Sequence, residues 1–162
     1  MTPIDAGGDD NNTAHPRIDP RWLTFADPQL VENKMSNADD KTKFEPYGVR
    51  NITESPWYCG AGHTPQALSK RLVGPPNGSQ KIGYVISSYA PGHSIAPHKH
   101  KVRDQVYHFL EGEGVLEIDG KKYKVGKHDV AYFPAGVEHG LTNEGLSNLV
   151  FVIASSPSEE PK

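Results

Sequence analysis

Four residues in the second half of the chain have the types and the spacing of a metal site: His98, His100, Gln105 and His139. His98 and His100 lie two positions apart, so on an extended strand both imidazoles project from the same face. Gln105 can reach the same centre from the next strand, and His139 arrives from a third segment. Imidazole nitrogens and an amide oxygen suit a divalent first-row metal ion. The sequence therefore predicts one divalent metal ion per chain.

The elements that must position these residues read as a series of short β-strands. Segments rich in β-branched and aromatic residues alternate with turns rich in Gly and Pro, and no convincing helix interrupts them. Asp119–Gly120 is typical of a two-residue hairpin turn. The predicted strands are 66–73, 81–90, 105–111, 115–118, 121–125, 130–133 and 149–154. This pattern predicts an all-β sandwich or barrel.

The segments outside the strands differ from them in composition. Residues 1–19 and 155–162 are polar, and we expect two disordered tails there. Residues 20–60 are rich in proline and charge but contain Trp22, Leu23 and Phe25. We expect them to form an extended arm that packs on the barrel (61–154) or on a partner subunit. A homodimer is therefore predicted.

Charge and cysteine content exclude several classes of partner. The formal net charge of −3 gives no electrostatic reason to bind nucleic acid or an anionic membrane surface. No apolar run approaches the roughly 20 residues of a spanning helix, and the first residues do not resemble a signal peptide. Cys59 is the only cysteine, which rules out an internal disulfide and fits a reducing compartment. These features predict a cytoplasmic protein with a small-molecule substrate.

Two spaced motifs in this region resemble those of the cupin family. The first, Gly-x5-His-x-His-x4-Gln-x6-Gly, begins at Gly92 and ends at Gly112, with Gln105 where most of the family has glutamate. The second, Pro-x-Gly-x2-His-x3-Asn, runs from Pro134 to Asn143, and His128 stands where that motif begins with glycine. Together they cover about fifty residues.

The resemblance implies a fold, a ligand set and a cofactor. It implies a small jelly-roll barrel, here with an N-terminal extended arm, that holds one metal ion on His98, His100, Gln105 and His139. Fe2+ is the preferred ion in this interpretation, with Mn2+, Zn2+ or Ni2+ as alternatives. His93 and His128 lie near the motifs without the spacing of ligands, and we expect His128 at a turn.

The alternation of side chains along a strand predicts the wall of this site. If Gln105 points into the barrel, Tyr107 and Phe109 do too, whereas His108 points away. An aromatic wall is the usual lining of a small-molecule pocket. Tyr107 is therefore the predicted catalytic proton donor or acceptor, and Phe109 is the predicted substrate contact. Tyr84, Tyr89 and Arg103 are weaker candidates, each more often structural than catalytic.

A basic run, Lys99, Lys101 and Arg103, lies beside the predicted ligands. Such a run could recruit an anionic substrate at the barrel mouth. Because Lys99 and Lys101 alternate with the histidines, they should instead face away from the metal, on a solvated side of the strand.

Gln105 changes the charge of the predicted site. Three neutral histidines and an amide leave a divalent ion with its full charge, where a carboxylate would leave +1. The divalent state is then favoured, and a bound carbonyl or water is polarised more strongly. Some cupin hydroxynitrile lyases resemble this site in using three histidines and a glutamine. A second interpretation makes Gln105 a residue that orients substrate or water without binding the metal.

Three functions are compatible with these residues. The first is a mononuclear metal oxygenase that acts on a small enolisable, carbonyl or phenolic substrate. The second is a non-redox lyase, isomerase or cyclase in which the metal polarises a carbonyl, for which small cupin polyketide cyclases are the nearest analogy. The third is a cupin that binds a small ligand without catalysis. The sequence favours the oxygenase, and oxygen consumption would separate it from the second function.

Overall fold

β-Strands dominate the part of the chain that the computed structural model describes, residues 48–49 and 51–160. Their bounds are β1 Tyr58–Cys59, β2 Ala67–Val73, β3 Gly83–Tyr89, β4 Ser94–His98, β5 Asp104–Glu111, β6 Glu113–Ile118, β7 Lys121–Gly126, β8 Val130–Phe133, β9 His139–Thr142 and β10 Leu149–Ser156. Short 3-10 turns span Ile52–Glu54 and Pro75–Asn77. None of the helical segments in this part of the chain has the length and hydropathy needed to cross a membrane.

The strands form two antiparallel sheets. One has the order β1-β2-β3-β10-β5-β8, and the other has the order β4-β9-β6-β7. Every pairing between these strands is antiparallel. Strand β10, the last in sequence, lies between β3 and β5 in the larger sheet. This two-sheet jelly roll confirms the predicted all-β fold.

The core between the sheets is aromatic, as the alternation along β5 predicts. Gln105, Tyr107 and Phe109 are buried, whereas His108 between them is exposed. Three further rings complete the cluster around Tyr107 and Phe109: Tyr89, Phe133 and Phe151, all 1% exposed or less. Full burial of one such side chain contributes roughly 1.5–3 kcal/mol, so this cluster is a main source of stability.

Two turns explain residues that the motifs single out. Asp119 and Gly120 adopt φ values of 46° and 76° between β6 and β7, which confirms the predicted hairpin. His128, at the position where the family motif has glycine, has a φ of 75°. This left-handed conformation is easiest for glycine, so His128 adopts it at some cost in backbone strain. The expected turn at His128 is confirmed.

Asn143, the last residue of the second motif, is a structural residue. It is fully buried, and its Nδ2 donates to Tyr89 O at 2.7 Å and to Ser147 O at 2.8 Å. Its Oδ1 accepts from Gly145 N at 2.9 Å. These bonds pin the turn after β9 to the end of β3.

The expected C-terminal tail is wrong for residues 155–160. Strand β10 continues to Ser156 because Ser155 pairs with both Gly83 and Gln105. Ser158 is then buried, with its backbone N donating to Gln80 O at 3.1 Å. The polar composition predicted a free end. Backbone pairing and the burial of two small residues, Ser155 and Ser158, keep this segment packed on the rest of the fold. Residues 161–162 lie outside the described residues.

Most of the predicted N-terminal arm also lies outside the described residues, as does the 1–19 tail. Of the segment 20–60, residues 48–49 and 51–60 are described, and β1 within them pairs with β2 at the edge of the larger sheet. Strands β1 and β9 were not predicted, and β4 was expected only as an extended segment that carries His98 and His100. Each has five residues or fewer, which leaves little pattern to detect.

Candidate metal centre

Three histidines from different parts of the fold converge at one end of the barrel. His98 ends β4, His139 begins β9, and His98 pairs directly with His139 across the smaller sheet. His100 lies beyond the end of β4, so the predicted strand does not reach it, although the two histidines still lie together with ring centroids 5.1 Å apart. Side-chain nitrogens of His98, His100 and His139 all lie within 4.8 Å of one another. The three could therefore hold a metal ion.

Backbone carbonyls fix the orientation of two of these rings. His98 Nδ1 lies 2.9 Å from Ala96 O, and His139 Nδ1 lies 3.1 Å from Val137 O. A proton on Nδ1 makes both bonds and leaves the lone pair of Nε2 free. This is the usual second interaction of a metal-binding histidine. Phe133 stacks on the His139 ring at 4.3 Å with an interplanar angle of 6°, which holds that ring in place.

Gln105 reaches the same group from β5. It is 5% exposed, and its Oε1 lies 3.0 Å from His139 Nε2. With the His139 proton on Nδ1, these two atoms are both acceptors. Two ligands about 2.1 Å from one ion and at right angles are roughly 3.0 Å apart, so this spacing fits a shared divalent ion. The donor set of three imidazoles and one amide oxygen is also chemically suited to such an ion.

His100 has a different environment from the other two. Arg103 Nη2 lies 3.1 Å from its Nδ1 and 3.0 Å from its Nε2, and Glu160 Oε1 lies 3.6 Å from its Nδ1. One face of the site is thus bordered by charged side chains. Glu159 pairs with Arg71 at 2.6 Å on the same side.

The surroundings keep two of the three histidines, His100 and His139, neutral. Burial, and then the Arg103 charge, lower the pKa of His100 to about 4. Burial lowers the pKa of His139 to about 4 as well, against a partial opposing effect from the Val137 carbonyl. Neutral imidazole is the form that binds a metal ion, so these two residues are ready to do so at neutral pH.

The metal-free protein should lose stability as the pH falls from about 6.5 to about 4. In that window the unfolded histidines bind protons, whereas folded His100 and His139 do not, so protons favour the unfolded state. Urea unfolding after treatment with a chelator measures this dependence. A His139→Gln variant should show a shallower dependence over the same range, and an equal slope in both proteins would contradict the assignment.

Both predicted wall residues are buried, and they have different neighbours. Tyr107 is 2% exposed and meets His139 edge to face, with centroids 5.9 Å apart. Burial raises the pKa of Tyr107, so its hydroxyl stays protonated at neutral pH. Phe109 is fully buried and lies 5.5 Å from Phe151. It is a core residue in this structure, and its contact with substrate stays a prediction.

The other candidates are spread more widely. Tyr84 is 39% exposed on the outer side of β3, away from the histidines. Tyr89 is buried next to Phe151 and His63, so it is part of the core. Arg103 borders His100, as described above. The exposed lysines Lys99 and Lys101 face solvent, as the alternation predicts.

Two acidic neighbours were missed by sequence reasoning. Glu159 and Glu160 reach the site only because the chain after β10 folds back over it. Nothing in their local sequence signals this, since the segment has the composition of a free polar tail. The pairing of Ser155 with Gln105 is the contact that brings them there.

Known proteins share these features. A family model described as a cupin domain matches residues 85–155. Over 62 residues, 38% of this chain and 51% of the relative, the chain is 36% identical to the oxalate-binding protein of Thermotoga maritima. Over 63 residues, 38% of this chain and 41% of the relative, it is 36% identical to the dimethylsulfoniopropionate lyase of Ruegeria pomeroyi. The chain thus spans about half the length of these curated relatives, or less.

Solved structures give the same fold. The polyketide cyclase RemF of Streptomyces resistomycificus superposes with a TM-score of 0.63 at 21% identity, covering 72% of this chain and 82% of RemF. Likeness at this identity establishes the fold alone. Because the matched family model covers the strands on which both sequence motifs lie, and these strands build the two-sheet jelly roll, residues 85–155 of this chain form a cupin domain.

Proposed function

We propose that this protein is a divalent-metal-dependent enzyme that activates a small carbonyl compound by Lewis-acid chemistry, as a lyase, isomerase or cyclase. The observation that carries the proposal is the uncharged donor set, with Gln105 Oε1 placed 3.0 Å from His139 Nε2 beside two further histidines. His98, His100, His139 and Gln105 would hold the ion. When bound, the ion would polarise a carbonyl oxygen of the substrate and stabilise negative charge there.

The residues around the ligands supply orientation and a proton. Tyr107 stays protonated next to His139, so its Oη can donate a hydrogen bond to an oxygen that gains negative charge. Phe133 holds the His139 ring, and the buried aromatic cluster keeps water from that side of the site. A low-dielectric wall strengthens each of these interactions.

The oxygenase predicted from the sequence is the second candidate. Its support is that a neutral three-histidine site favours the divalent state, as Fe2+ chemistry with oxygen requires. The name of one relative, a lyase, favours the non-redox chemistry, and the name of another, an oxalate-binding protein, favours ligand binding without turnover. A cytoplasmic location and a homodimer stay predictions.

A paired assay separates these functions. Protein purified without oxygen is analysed for bound metal and then given a panel of small 2-oxo and 3-oxo acids, once in an oxygen electrode and once in deuterated buffer. We expect about one divalent ion per chain, product formation or exchange of the hydrogen next to the carbonyl, and no oxygen uptake. Oxygen uptake in step with product would select the oxygenase and overturn the Lewis-acid proposal. Binding without exchange or product would leave the ligand-binding role.

A further inference from the structure

Arg103 holds an unusual position for a loop arginine. It follows β4 and precedes β5, yet its Nη2 lies 3.0 Å from Nε2 and 3.1 Å from Nδ1 of His100. Within residues 51–160, its buried Nε has no hydrogen-bond acceptor. Burying an N–H donor without an acceptor costs roughly 1–3 kcal/mol. A carboxylate that reached this edge of the guanidinium would remove that cost.

The positive charges expected around His100 also favour the binding of an anion there. Four neutral donors would leave a divalent ion with two positive charges, and Arg103 adds a third beside it. The nearby cation Arg71 differs, because it is already paired with Glu159 at 2.6 Å. Glu160 is the carboxylate that faces His100, at 3.6 Å, and its Oε1 also lies 3.5 Å from Val102 N. Burial lowers the pKa of the Arg103 guanidinium, and the Glu160 charge partly opposes that shift.

Building on the proposed function, we infer that the substrate carries a carboxylate, that Arg103 anchors it next to the metal centre, and that the negative charge of Glu160, which faces His100 close by, opposes its binding. The substrate class is then a small oxo or hydroxy acid, with its carboxylate on the guanidinium and its carbonyl or hydroxyl directed toward the histidines. Arginine suits this task because its planar fork can bind a carboxylate through two parallel hydrogen bonds.

The same loop contains a matched control residue, Lys101. Lys101 lies two residues from Arg103, and both side chains carry one positive charge, but Lys101 is exposed and points to solvent. General attraction of anions by the basic run would depend on Lys101 as much as on Arg103. A specific anchor would depend on Arg103 alone.

The test is calorimetric titration with malonate and with its uncharged analogue malonamide, on the metal-free protein and on the Mn2+-loaded protein. Arg103→Gln should weaken malonate binding by about 10- to 100-fold, the value of hydrogen bonds to a charged group. Lys101→Gln should change malonate binding by no more than about twofold, as expected for an exposed charge. Glu160→Gln should tighten malonate binding, because it removes a negative charge next to the site of the carboxylate. Malonamide binding should be unchanged in all three variants.

The outcomes separate this inference from the proposed function. If the unaltered protein binds no divalent ion, the proposed function fails, while the metal-free titrations still decide the role of Arg103. If Arg103→Gln binds malonate as the unaltered protein does, or if it loses malonamide equally, the inference is overturned. If Arg103→Gln is unstable, Glu160→Gln decides, and no gain in malonate affinity would overturn the inference.

Discussion

His100→Ala should yield a folded protein that binds its divalent ion at least about a hundredfold more weakly, since even the partners of metal ligands cost 10–100-fold when they are removed. Turnover should fall to background. The variant should still fold because the His100 side chain lies in the loop after β4, with its main contacts to Arg103 and Glu160 and not to the aromatic core. Metal analysis of the purified variant and a thermal melt measure the two properties separately.

His108→Ala is the matched control. This histidine lies on β5, between two buried residues, but points to the exposed side of the sheet. Its removal should leave metal content and turnover unchanged. Full activity of His100→Ala in the absence of bound metal would refute the metal-dependent mechanism altogether.

Gln105→Glu should keep the metal ion and slow the Lewis-acid reaction by about 10- to 100-fold. The carboxylate would cancel one of the two positive charges that the neutral donors leave, so a carbonyl at the site would be polarised less. Each factor of ten corresponds to about 1.4 kcal/mol in the barrier. Metal affinity should rise or stay equal, which separates this effect from loss of the ion.

Gln66→Glu makes the same substitution at an exposed position and controls for the change in net charge. The informative readouts are metal affinity and kcat, measured on the same preparation. If Gln105→Glu changes neither, Gln105 is not a metal ligand, and the alternative role of orienting substrate or water takes its place.

The all-β class and the buried face of β5 could be predicted because they depend on local patterns. The alternation of Gln105, Tyr107 and Phe109 shows which face of β5 is buried, and the Asp119–Gly120 turn sets the register of a hairpin. These two features need only a strand period and a turn type. The jelly roll and the meeting of His98, His100 and His139 were implied by the resemblance of the two motifs to those of the cupin family.

The rest could not be predicted because it depends on contacts between distant segments. His100 lies beyond the end of β4 because the pairing of β4 with β9, which begins at His139, ends at the His98–His139 pair. The approach of Glu160 to His100 depends on the position of the last strand, because Glu160 lies 58 residues after Val102, whose backbone N its carboxylate also meets. The partial burial of Arg103 depends on the same contacts with the C-terminal segment. The composition of the basic run around it indicates only a solvated loop.

The central position of β10 has a consequence for how the protein is made. During synthesis β3 and β5 emerge long before the strand that will lie between them, and until then their facing edges carry unpaired backbone groups. The pairing of β10 with β3 and β5 requires contacts between residues far apart in sequence, which slows folding. The aromatic cluster lacks Phe151 during this interval, and the acidic neighbours of the histidines arrive last of all. We therefore expect ion capture to follow closure of the sheet, so that a cell short of metal would accumulate a folded apoprotein and not an unfolded chain.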